Sequence, residues 1–335
     1  MRLAHNPYQQ PGPWEFHRSI PGYEPTPLHS LPDLAAELDL AALYVKDESR
    51  RFGLNAFKVL GASYAMSRFE GLRSCFSAAT EGNHGRAVAW AARQMGAEAV
   101  IFVPANMSAA RRDAIAREGA EIVEVDGAYH DAVRQCAEQS EELNMQVISD
   151  TAYAGYTEIP SLIMDGYGTL FLEAEEQLPA PPDWVYIQAG VGGLACAAAR
   201  HYRRAKYPPK LVCVEPDAAN CHFASIGSEG GVRLRATGSL DSIMSGLNCG
   251  EVSIVAWPEV RAAYHAFVTI EDAWAEEAVR LLYSSTPRVI AGECGAAGLA
   301  GVLACRPPRQ SSVLVINTEG ATDPAAFERI TGCTP

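Results

Sequence analysis

The chain has 335 residues, 48% hydrophobic and 20% charged, an ordinary globular composition with length for one large domain or two medium ones. Its net charge of −13, without a basic cluster, argues against nucleic acid or an anionic membrane as a partner, and no apolar run is long enough to span a bilayer. The Pro- and aromatic-rich start at 1–28 lacks the apolar core of a signal peptide, and nine scattered cysteines without a Cys-x-x-Cys spacing give no metal site, so a reducing cytoplasm is the expected compartment.

In chain order, an irregular opening leads to a helix over 31–38 and a strand over 42–46. A short turn then ends at Lys58, and a helix-like run follows over 59–69. From Ser74 onward strands at 75–79, 99–103, 121–125 and 146–149 alternate with helices at 85–95, 108–118 and 129–143. Short apolar runs alternating with helical periods predict a parallel sheet covered by helices. A long helix over 160–177 ends at Pro179-Ala180-Pro181-Pro182, and a second alternation begins there: strand 185–188, helix 194–205, strand 211–214. The stretch 218–251 is Gly- and Ser-rich and reads as a long ordered loop. Helices at 258–266, 270–284 and 296–303 precede a last strand at 313–316. Cys221 and Cys249 stand in loop-like sequence, and a disulfide between them stays open.

Five elements carry possible chemistry. Lys58 has Phe57, Val59 and Leu60 beside it. Apolar burial disfavours the charged amine, and a neutral amine is a nucleophile that carbonyl cofactors capture as a Schiff base; the alternative is a lysine whose stem packs while its head reaches water. Gly190-Val191-Gly192-Gly193-Leu194 follows a strand and opens a helix, which suits a phosphate held by backbone N–H groups and a helix N-terminus. With Ala195, and Glu215 ending the next strand, the same loop also satisfies the dinucleotide fingerprint, so a nicotinamide-dependent dehydrogenase competes. Thr80-Glu81-Gly82-Asn83-His84 lies at a strand-to-helix junction and offers a seat for a substrate carboxylate, or a plain capping turn with Asn83 as the cap. Asp150 and the pair Asn317–Thr318 end strands at the edge where open α/β sheets bind ligands, or are ordinary strand exits.

These elements in this order resemble the fold type II pyridoxal phosphate enzymes, which include serine/threonine dehydratases, cysteine synthases and the tryptophan synthase β chain. Arg51-Phe52-Gly53-Leu54-Asn55-Ala56-Phe57-Lys58, Gly82-Asn83-His84-Gly85, Asp150-Thr151-Ala152, Val214-Glu215-Pro216 and Thr318-Glu319-Gly320 are similar most of all to the diaminopropionate ammonia-lyases. The resemblance implies two open twisted α/β domains with the cofactor between them: a large one from 1–58 and 150–335, and a small mobile one from 59–149. It implies that Lys58 forms the Schiff base with pyridoxal 5'-phosphate and that Gly190 to Leu194 hold the phosphate. Asn83 would meet the phenolic oxygen, and Asn317 or Thr318 the pyridine nitrogen. Thr80, Gly82, Asn83 and His84 would bind the substrate carboxylate. Asp150 and Glu81 would be acids on opposite faces of the substrate, with pKa values raised towards neutral by burial. The ammonia-lyases have Asp where Glu81 stands and usually Ser where Asn317 stands.

The implied activity is α,β-elimination on a small amino acid with a β leaving group, 2,3-diaminopropionate giving pyruvate and ammonia, in a cytoplasmic homodimer. β-Replacement or serine/threonine dehydration is the alternative within this chemistry. A dehydrogenase or a non-catalytic pyridoxal phosphate-binding protein is the alternative outside it.

Overall fold

The computed structural model describes residues 11–80 and 82–335. Its strands are β1 (Leu28–Ser30), β2 (Ala42–Asp47), β3 (Cys75–Ala79), β4 (Glu98–Pro104), β5 (Glu121–Val125), β6 (Gln146–Val147), β7 (Trp184–Gln188), β8 (Lys210–Pro216), β9 (Tyr264–Ile270) and β10 (Ser312–Asn317). They form a six-stranded sheet in the order β1-β2-β10-β7-β8-β9 and a four-stranded sheet in the order β5-β4-β3-β6. Every pairing is parallel except β1 with β2.

Parallel strands covered on both faces need apolar side chains on both. β10 shows this: Val313, Leu314, Val315 and Ile316 are all buried. Leu314 and Ile316 join Val185 and Ile187 in one core, while Val313 and Val315 join Tyr186 in the other. The first core runs on without a break into the four-stranded sheet, through the helices Lys58–Met66 and Glu158–Gln177. Val59 to Met66 are buried all round. The two helices cross at backbone contact because glycine stands on both sides. A Cβ on Gly61 would lie 2.8 Å from the Ile163 carbonyl oxygen, and one on Gly166 would lie 2.5 Å from that of Leu60. Two mostly parallel sheets covered by helices are the α/β arrangement expected.

Three elements differ from the expectation. The segment 264–270 is a strand, β9, where helices were expected to meet; it pairs along β8 at the sheet edge. Pro13–Ser19 is a helix inside the irregular opening, started by proline at its first turn and fixed by buried His17. The loop 218–251 contains a short helix, Cys221–Ile226, whose first N–H groups are met by Glu215. No helix among the described residues is long and apolar enough to cross a membrane.

Candidate active site

Lys58, Thr80, Asp150, Gly190 and Thr318 each follow the carboxyl end of a strand (β2, β3, β6, β7 and β10), the edge where ligands bind in open parallel sheets. The approach to Lys58 is held tightly. Phe52, Gly53 and Asn55 take positive φ angles, and Asp47 caps the turn by accepting from the Ser49 N–H at 3.0 Å. Phe57 N–H then donates to the Thr318 carbonyl at 3.1 Å, Gly320 N–H donates to the Asn55 carbonyl at 3.1 Å, and Ala56 bridges Glu319. The turn leading to Lys58 and the end of β10 thereby form one unit.

Beneath this turn lies an ion cluster that sequence reasoning missed. Arg51 is enclosed between Glu48 (2.8 Å) and Glu173 (2.6 Å), and Lys46 reaches the same Glu173 oxygen at 2.7 Å. Thr26 and Gln177 complete the bonding. Nothing local to the Lys58 stretch points to Glu173, which arrives on the helix Glu158–Gln177.

At the centre, Lys58 Nζ donates to Asp150 Oδ2 at 2.6 Å, with the two side chains 26% and 19% exposed. Asp150 is braced by Tyr156, whose hydroxyl accepts from the Ser149 N–H at 2.9 Å and donates to the Val147 carbonyl at 3.0 Å. Burial alone pulls the Lys58 ammonium down, but the Asp150 carboxylate more than offsets it and the net direction is upward. Burial pushes Asp150 up, and the Lys58 charge, then His84, bring it below the usual carboxylate range. The neutral lysine and the near-neutral Asp150 expected from burial are therefore corrected: at 2.6 Å two opposite charges keep each other ionised.

The carboxylate seat is organised by Thr80, whose Oγ1 accepts from Gly82 N–H at 3.0 Å and Gly85 N–H at 3.2 Å. Gly82, not Asn83, is the cap of the helix Asn83–Gln94. Asn83 sends its amide across to the Glu319 carboxylate. His84 Nε2 donates to the Ile148 carbonyl at 2.8 Å, which leaves Nδ1 buried and without a partner among the described residues. Glu81 lies outside the described residues.

The glycine loop leads from β7 into the helix Gly193–Tyr202. Gly192 caps that helix at φ +98°, and a Cβ there would lie 2.6 Å from His222 Nε2. A Cβ on Gly190 would lie 2.9 Å from Cys249 Sγ. Ser253 N–H holds the Val191 carbonyl at 2.9 Å, while Ser253 Oγ and His222 Nε2 are buried without partners among the described residues. Tyr167 links this loop to the lysine: it lies 3.5 Å from the Cβ position of Gly193, its ring centre is 4.6 Å from that of Phe57, and its hydroxyl has no partner among the described residues.

At the end of β10, Asn317 donates to Asp47 (2.8 Å) and the Ile290 carbonyl (3.0 Å), while Thr318 Oγ1 accepts from Gln188 at 3.1 Å and donates to the Cys294 carbonyl at 3.4 Å. Cys221 and Cys249 are free thiols that flank Gly190. Glu215, the acid of the dinucleotide fingerprint, is buried and spent on His222 Nδ1 and the N–H groups of His222 and Phe223, all at 2.8 Å. It is closed to a ribose, which removes the support for a dehydrogenase.

The residues fit pyridoxal phosphate. The loop has a concavity that side chains at 190 and 192 would fill, at the N-terminus of a ten-residue helix, and it shares Tyr167 with a half-buried lysine. Comparison with known proteins points the same way. A family model described as pyridoxal-phosphate dependent enzyme matches residues 20–319. Diaminopropionate ammonia-lyase of Escherichia coli (strain K12) is 40% identical over an alignment of 358 residues, covering 94% of this chain and 89% of that one. A crystal structure of holo diaminopropionate ammonia-lyase from Escherichia coli superposes with a TM-score of 0.88 at 36% identity, over 95% of this chain and 90% of that one. A second, in complex with D-serine, gives 0.87 at 35% identity over the same shares.

Proposed function

We infer that this chain, which belongs to the pyridoxal-phosphate-dependent enzyme family and within it to the diaminopropionate ammonia-lyases, is a carbon–nitrogen lyase that converts 2,3-diaminopropionate to pyruvate and ammonia. The observation that carries the reading is the Lys58–Asp150 pair at 2.6 Å, reached through Tyr167 from a glycine loop shaped for a phosphate. When bound, the cofactor supplies an electron-withdrawing ring that makes the Cα–H of an attached amino acid acidic.

The chain's own groups do the rest. Lys58 Nζ is the attachment point. The backbone of Gly190, Val191, Gly192, Gly193 and Leu194 holds the phosphate, and Asn83 meets the phenolic oxygen. Of Asn317 and Thr318, Thr318 is the better placed for the ring nitrogen, because its donated bond is a long one at 3.4 Å while both Asn317 N–H bonds are well made. Thr80, Gly82, Asn83 and His84 seat the substrate carboxylate at the N-terminus of the helix Asn83–Gln94. Asp150 Oδ2 accepts the Cα proton on one face, and Glu81 serves the other. The β-amine departs with the electrons of its C–N bond. The D-serine complex of the Escherichia coli relative supports a small amino-acid substrate.

The proposed division into a large domain, 1–58 with 150–335, and a small one, 59–149, is supported by the separation of the strands into two sheets. A homodimer completes the proposal, and sedimentation velocity tests it. The activity is tested by ammonia and pyruvate release from D- and L-2,3-diaminopropionate, serine and threonine. Diaminopropionate is the expected preferred substrate; a cofactor-loaded protein that releases no ammonia from it overturns the reading.

A further inference from the structure

Glu319 is a buried acid that the roles above leave unused. Its backbone bridges Ala56, two residues before Lys58, and its side chain reaches Asn83 in the carboxylate seat. It therefore stands between the lysine and the place where an amino-acid substrate would be gripped. Most other buried glutamates are paired, Glu118 among them with Arg86 and Arg93. Glu293, like Glu319, makes no ion pair with any described residue, but it opens the helix Glu293–Ala304, whose N-terminus favours an acid. Glu48 and Glu173 close on Arg51 and Lys46, and Glu215 collects two backbone N–H groups and an imidazole. Glu319, 7% exposed, makes no ion pair with any described residue. Its polar neighbours are the Asn83 amide and the Cys294 thiol, both neutral. Of the two cations whose charge reaches it, Lys58 is paired with Asp150 at 2.6 Å, and Arg111 makes no ion pair with it, donating to Ser245 Oγ at 3.0 Å. Burial raises its proton affinity, against smaller lowering effects of Cys294, Arg111, Asn83 and Lys58.

A buried carboxylate with only neutral donors is an incomplete site, and a cationic group completes it. The substrate of the reading above brings one at Cβ, and the acid facing Lys58, Asp150, is already engaged with Lys58 and the Cα proton. We propose that Glu319 receives the β-ammonium group of the substrate and so selects amines over isosteric uncharged side chains at Cβ. The assignment rests on the ammonia-lyase reading. It adds a specificity-determining residue and requires no change in the protonation of Glu319 during turnover.

The test compares 2,3-diaminopropionate with β-chloroalanine, whose β substituent carries no charge, in the holoenzyme and in Glu319→Gln. It also measures inhibition by 2-aminobutyrate, which carries CH3 where the substrate carries NH3+. A charge-assisted contact corresponds to roughly a tenfold preference or more. In the variant, the ratio of kcat/KM for diaminopropionate to that for β-chloroalanine falls at least fivefold. In the wild type, 2-aminobutyrate binds at least fivefold more weakly than diaminopropionate, a measurement that needs no variant to fold. Smaller changes in either comparison overturn the assignment. Pyruvate from β-chloroalanine but none from diaminopropionate in the wild type overturns the ammonia-lyase reading instead, so the two failures are distinct.

Discussion

Lys46 and Lys58 stand twelve positions apart on one stretch of chain and meet opposite fates. Lys46 is sealed: Glu173 at 2.7 Å, the Thr26 carbonyl at 2.6 Å and Gln177 at 2.9 Å take its three protons. Lys58 has one carboxylate partner, at 2.6 Å, and stays 26% exposed. Burial pulls both ammonium groups down; Asp150 more than offsets this at Lys58, while at Lys46 the net direction stays downward, and only Lys58 has donor capacity left over. A fully satisfied charge fixes structure; a partly satisfied one at the start of a helix is available for chemistry.

Removing each charge in turn sharpens the contrast. Lys58→Ala takes away the proposed attachment point and is expected to lower pyruvate formation about a thousandfold or more, with far-UV circular dichroism unchanged. A variant that keeps wild-type turnover breaks the assignment. Arg51→Ala should act on stability instead. It strips both Glu48 and Glu173 of a buried partner, so a loss of about 3–5 kcal/mol is expected in urea unfolding. A loss below about 1 kcal/mol would mean that the cluster is not sealed.

The smallest effect, taken per pH unit, is in the acid response of the same sealed region. His17 Nε2 donates to the Leu60 carbonyl (2.9 Å) and Nδ1 accepts from the Thr169 hydroxyl (2.7 Å), pinning the first helix onto the Lys58 helix. Burial lowers its pKa from the ordinary 6.5 to about 3. The unfolded chain therefore takes a proton that the folded chain refuses between those values. Stability from this group is complete above pH 6.5 and falls as pH drops towards 3, by about 1.4 kcal/mol per unit. Urea midpoints of the wild type and His17→Gln, followed from pH 7 to 4, should differ in slope by that amount. Parallel curves would mean that His17 is not shielded as described.

How much of this could be read in the chain follows from the range of the interactions. β10 and the glycine loop were legible because their signals are local: an unbroken apolar run, and glycines between a strand and a helix. β9 was not. Its Tyr-His-Ala-Phe-Val-Thr-Ile letters are only part buried, and pairing with β8 overrides a weak local preference. The pairing of Arg51 with Glu173 spans 122 residues and that of Lys58 with Asp150 spans 92, so no window of sequence contains either. The apolar neighbours of Lys58 in sequence pointed to a neutral amine, and a carboxylate from the other sheet reverses that. Glu319 did leave a trace, an acid directly after a strand's polar end, but its lack of a cation is visible only in three dimensions.

The chain contains four lysines, Lys46, Lys58, Lys206 and Lys210, which makes one measurement direct. Lys206 and Lys210 lie over the rings of Tyr207 and Trp184. The holoenzyme is treated with borohydride, digested, and the added pyridoxyl mass located by mass spectrometry. The expected result is a single modified peptide carrying the mass on Lys58, with loss of the visible absorbance band. Mass on Lys46, Lys206 or Lys210 in its place, or no stable adduct at all, would contradict the identification of Lys58 as the catalytic lysine.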